Sequence, residues 1–162
     1  MKYIISIIAL MIGVKSMAAE IEFTGIILLQ PEFVFEERKI NVSELSKYID
    51  SVQTNISSNL SSIKGSAISG HVVIAVRMGG KSKAWIDFSE QDAKDIHAPI
   101  VSAVEDVKAF KVAEGTILFA ISMSINGANA VSGMPMPVEW SNAMSIQKES
   151  LEMEQLVDVV WP

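Results

Sequence analysis

Few residues of this chain have the type and spacing for chemistry. The stretch AVRMGGKSKAWIDF, residues 75–88, carries Gly80-Lys81-Ser82, the tail of the phosphate-binding pattern G-x-x-x-x-G-K-[ST]. The pattern needs a first glycine five residues before Gly80, and that position is Ala75. It also needs a helix after the serine, whose first amides hold the phosphates. Here Lys83 to Phe88 alternates as a strand does. Two apolar runs joined by Gly79-Gly80 predict a hairpin, since glycine supplies the positive φ of a primed turn. Nucleotide binding is not expected.

Two other matches fail for lack of companions. Ser61-Ser62-Ile63-Lys64 and Ser145-Ile146-Gln147-Lys148 both read S-x-x-K, the nucleophile pattern of penicillin-binding enzymes, without the K-T-G and S-D-N partners. His71 and His97 are the two histidines, and the chain has no cysteine. A zinc site would have to draw on Asp92 or Asp95, and no H-E-x-x-H spacing exists. Both histidines read as surface or loop positions. Glu105-Asp106 are neighbours on an expected helix and point apart, a poor general acid–base pair. No catalytic residue, metal or cofactor is expected, and the chain reads as a non-enzyme. Trp85, Trp140, Trp161 and the loop Met134-Pro135-Met136-Pro137 remain. Trp and Met suit adaptable apolar contacts, so Trp140, Met134, Met136 and Trp85 are the candidate partner-binding residues. Trp161 is assigned to the core.

The elements that would position these residues are read from periodicity. Ile21 to Leu29 predicts a first strand, broken by Gln30-Pro31, with Phe33 to Phe35 as a further edge segment. Leu45, Tyr48, Ile49, Val52, Ile56, Leu60 and Ile63 recur at helical steps, so Asn41 to Ile63 is a helix, capped by Asn41 with Glu44 and ended by Gly65. His71–Met78 and Lys81–Phe88 form the hairpin. Ser89 caps a second helix with Glu90 and Asp92 in its first turn, and Pro99 kinks or restarts it. Gly115 ends that segment, Thr116–Ile125 is an apolar strand, and Asn126-Gly127 turns. A short helix near Met144–Glu154 and a final strand at Val157–Trp161 close the chain. The expected fold class is α+β: an antiparallel sheet with two helices, Asn41–Ile63 and Ser89–Ala109, packed on one face.

The first residues, MKYIISIIALMIGVKSMAAE, join a basic start to an apolar run too short for a bilayer anchor. Ser16-Met17-Ala18 then supplies small residues for cleavage, which predicts a signal peptide over 1–18 and a single periplasmic domain over 19–162. The chain holds 13 Lys and Arg against 19 Asp and Glu. The leader takes Lys2 and Lys15 and no acid, leaving 11 against 19, a mature net charge of −8. That balance disfavours nucleic acid and anionic lipid and suits a basic partner. No later run is long enough for stable membrane insertion.

The order strand, Gly-tipped hairpin, strand, helix, strand over Gly70–Ile125 resembles the C-terminal domain of TonB-type energy transducers. Gly70, V72-V73-I74-A75-V76, Gly79-Gly80, W85-I86-D87-F88 and F119-A120-I121 carry the likeness. It implies a solitary periplasmic domain of similar shape, without the transducers' anchor or Pro-rich span. The expected function is non-enzymatic binding of another envelope or periplasmic protein. A sharper form is an immunity protein that neutralises a toxin delivered to the periplasm. The alternative class is a small-ligand carrier or an envelope enzyme whose site is cryptic. A buried polar cluster in a pocket would favour that alternative, and an exposed apolar or acidic patch would favour binding.

Overall fold

The computed structural model describes residues 18–88, 93–147 and 151–162. The expected leader, Ser89 with its acidic first turn, and the middle of the expected Met144–Glu154 helix lie largely or wholly outside them. Four strands, β1 (Ile21–Leu28), β2 (Ile68–Arg77), β3 (Lys81–Phe88) and β4 (Thr116–Ile125), form one antiparallel sheet in the order β1-β4-β2-β3. The fold class is α+β, as the periodicity predicts.

The two faces of the sheet separate by parity. Val72, Ile74 and Val76 of β2 and Ile117, Phe119, Ile121 and Met123 of β4 face α2 (Val42–Leu60) and α3 (Lys94–Glu105) in the larger core. The alternate residues Val73, Ala75, Leu118 and Ala120 face α4 (Val138–Ile146) and α5 (Met153–Val160) in a second core. Every residue of β4 is buried, because both of its faces and both of its edges are covered.

α2 follows from its stripe. Tyr48, Val52, Ile56 and Leu60 are buried, and the Asn41 side chain accepts from the Ser43 and Glu44 amides at 3.0 and 3.2 Å. The helix ends at Leu60, earlier than the Ile63 expected, and Gly65 lies in the loop beyond it. Ser and Asn are weak helix formers because their side chains compete for the backbone. Here Ser51, Thr54 and Ser58 bond back to their own turn, while Asn55 and Asn59 donate to the Ala103 and Pro99 carbonyls of α3. Pro99 sits within α3, past its first turn, and the helix continues through it to Glu105.

Three segments differ from expectation. The helix expected near Met144–Glu154 is not found over its described residues: α4 ends at Ile146, Gln147 is extended, and α5 begins only at Met153. Phe33–Phe35 is not an edge strand but part of a short helix, α1 (Glu32–Glu37). Pro31, with φ −56°, precedes it in a conformation that suits a helix start. At the C-terminus Val157–Trp161 is not a strand: α5 runs to Val160, opened by a Glu152–Gln155 capping box. Its Met153, Leu156, Val157 and Val160 meet the second core at helical spacing.

A polar knot ties these additions to β4. Glu154 of α5 pairs with Arg38 at 2.7 Å, accepts from the Thr116 amide at 2.9 Å, and Arg38 also donates to the Thr116 carbonyl. Gly115, at φ +66°, passes through this knot, where a Cβ would meet both Arg38 and Glu154.

Candidate functional site

The hairpin expected at the phosphate-like motif is present, but its connection is the three residues Met78-Gly79-Gly80 and not a two-residue primed turn. Gly79 and Gly80 have φ of +84° and +72°, and β2 pairs with β3 from Arg77–Lys81 outward. Lys81 and Ser82 lie in the strand, so their amides serve the ladder and do not open a helix.

The structure buries two of the four candidate contact residues. Trp140 is wholly buried and Trp85 is 4% exposed; they meet edge to face at 5.4 Å in the second core. Their role is packing, because a ring closed off on all sides presents nothing to a partner. Trp161 packs partly exposed beside Trp85, with the Arg77 guanidinium 4.3 Å from its ring. Met134 is exposed, whereas Met136 is half-buried and its amide donates to Asp87 at 2.7 Å. The Met-Pro loop is therefore latched to the sheet through Asp87, and its Pro135 and Pro137 are buried.

His71 is also placed differently from expectation. It lies inside β2, 2% exposed, with Nδ1 at 3.0 Å from Ser122 Oγ. Register puts Asp87 opposite it on β3 and Ser122 opposite it on β4, so the three share one row across the sheet. Burial pushes the imidazole pKa down, and the Asp87 carboxylate pulls against that shift. A neutral histidine beside a serine hydroxyl is the pairing a nucleophilic relay uses. Here the Asp87 carboxylate is engaged by the Met136 amide, and both His71 and Ser122 are buried. Asp87 fastens the loop to the sheet, and His71 joins β2 to β4 through Ser122. Sequence reasoning missed it because the row exists only in the register of three strands.

The exposed ground that remains distinctive is β1 with α1. β1 ends the sheet, and among the described residues its outer edge has no strand partner. The Leu29 amide donates inward to the Leu118 carbonyl at 3.2 Å, so Ile27 faces inward too and the backbones of Ile26 and Leu28 face outward. The side chains of Ile26 and Leu28 are 40% and 44% exposed, and Phe33 of α1 is 57% exposed. A bulge at Thr24, between Phe23 and Gly25, separates this half from Ile21 and Phe23. Glu20, Glu22, Glu32, Glu36 and Glu37 are all exposed, and no Lys or Arg occurs from Ala18 to Glu37. The Phe23 end borders a shallow, open groove on α2, lined by Asp50, Gln53, Thr54 and Ser57. Sequence reading had the acidity and the strand but not which strand would lie at the edge.

Comparison with protein-family models, with curated proteins and with solved structures returns no match.

Proposed function

We propose that this protein is a binding module for another protein of the cell envelope, acting without a chemical step of its own. The observation that carries this reading is the acidic, partly apolar edge formed by β1 and α1. It combines exposed Ile26 and Leu28, on an edge without a strand partner among the described residues, with Phe33 and five exposed glutamates along residues 20–37. Exposed apolar surface rimmed by polar residues is a mark of interaction sites. The envelope setting rests on the export signal read in the sequence. Neutralisation of a delivered toxin is the sharper form of the proposal, and a basic toxin would suit the acidity. Among the described residues no helix is long and apolar enough to cross a membrane, in keeping with a partner met in solution.

Capture from the envelope of the source cell, repeated at low and high salt, tests the reading. A basic partner recovered at low salt and released as salt rises is expected, since exposed charge pairs are screened over about 8 Å at physiological ionic strength. Recovery of no protein, together with a small molecule bound to the purified chain in native mass spectra, would overturn it in favour of a carrier or enzyme.

A further inference from the structure

We propose that β1 is an acceptor edge for an extended, basic and apolar segment of the partner, which adds to the sheet beside β1; this inference rests on the binding-module reading above. Three observations converge on it. Outward-facing backbone at Ile26 and Leu28 offers donors and acceptors with no strand partner among the described residues. An open edge of this kind is a template for strand pairing, with main-chain bonds giving affinity and alternate side chains giving choice. Next, the side chains along the edge change character at the bulge. Ile26 and Leu28 present apolar surface on one side of it, while Phe23 and the groove with Asp50 lie on the other. Lastly, the segment from Ala18 to Glu37 carries five exposed glutamates and no base, with Lys39 exposed just beyond it and Lys64 beside Glu20.

These features specify the occupant. A strand laid beside β1 places every second side chain over the α2-facing side of the sheet. Those opposite Ile26 and Leu28 are apolar. Those opposite Phe23 reach the groove, where Asp50 favours Lys or Arg. A second copy of this chain is disfavoured as occupant, because its own β1 would bring glutamates to the same acidic edge.

Proline gives a selective test. At Ile26 the amide faces outward, so Ile26→Pro removes a bond to an added strand and spares the β1–β4 ladder. Ile27→Pro removes an inward bond and serves as the contrasting control. The probe is a seven-residue capped peptide with Lys at positions one and three, Val at five and seven, and Thr between. The same peptide in reversed order covers both strand directions. Titration into the protein recovered from the envelope, followed by backbone amide shifts, is expected to perturb Ile21 to Leu28 with one of the two peptides. Affinity is expected to fall about tenfold or more with Ile26→Pro and with Glu in place of the peptide lysines. Urea unfolding verifies that Ile26→Pro remains folded; if it does not, Ile26→N-methylalanine introduced by ligation removes the same donor.

Equal binding by wild type and Ile26→Pro, shifts confined to another surface, or no binding of either peptide at millimolar concentration would overturn the proposal. So would a wild-type dimer in sedimentation that Ile26→Pro dissolves, since the edge would then take a second copy. Envelope capture separates the two levels. A partner held equally by wild type and Ile26→Pro removes the edge proposal and leaves the binding module standing, whereas recovery of no partner by either removes both.

Discussion

Trp140→Ala tests the placement of the second core. The ring is wholly buried and meets Trp85 edge to face at 5.4 Å. Truncating a buried Trp costs about 3–5 kcal/mol, from lost transfer and the cavity left behind, and the aromatic pair adds about 0.5–1.5 kcal/mol to what is lost. The indole Nε1 has no hydrogen-bond partner among the described residues, so removing it returns part of that cost. A net loss of about 4 kcal/mol is expected, and for a chain of this size a fall in Tm of about 8–16 °C. Trp140→Phe keeps an aromatic ring against Trp85 and removes the unpaired donor, so its loss should be only about 1 kcal/mol. Urea unfolding followed by circular dichroism measures both. If Trp140→Ala stayed within about 1 kcal/mol of wild type, the ring would not be packed as described and a contact role would return.

Three further outcomes are expected. Replacing Gly79 and Gly80 by Ala should cost about 1–3 kcal/mol in urea unfolding, because both hold positive φ, and magnesium-ATP should show no binding in calorimetry before or after. Burial lowers the His71 pKa in the folded state, so the unfolded chain takes the proton more readily; stability should be held above about pH 6.5 and fall as pH drops below it. His71→Gln should lose part of the difference in urea midpoint between about pH 7.5 and pH 5, and an unchanged difference would count against a buried neutral histidine. Glu154→Ala strips Arg38 and the Thr116 amide of a shared acceptor and should cost about 1–3 kcal/mol, with a smaller loss for Glu154→Gln, which keeps an oxygen for Thr116.

Local pattern carried the sheet and the long helix. The stripe from Leu45 to Leu60, the Asn41 cap, the Gly79-Gly80 turn and the run from Thr116 to Ile125 each depend on neighbours in sequence, and each is found, the turn one residue longer than expected. What failed depended on distant partners. Val157-Asp158-Val159-Val160 has strand composition, yet the second face of the sheet needed cover, and Leu156, Val157 and Val160 supply it as a helix. Trp140 looked free because its surroundings in sequence are Met, Pro and polar residues; Trp85, which closes over it, lies far back on β3. His71 looked superficial at the start of an apolar run, and only the register with Ser122 and Asp87 shows it inside. The acidity around β1 was legible as composition, but the order β1-β4-β2-β3 was needed to see that this strand is an open edge.

Amide hydrogen exchange across β1, in the free protein and with the captured envelope partner bound, tests the central claim most directly. In the free protein the outward amides of Ile26 and Leu28 should exchange quickly, while the inward amides of Ile27 and Leu29 are protected by β4. With the partner bound, Ile26 and Leu28 should become protected along with their neighbours, as an added strand requires. Protection that appears only around Met134 and α4, with Ile26 and Leu28 still exchanging as in the free protein, would contradict it.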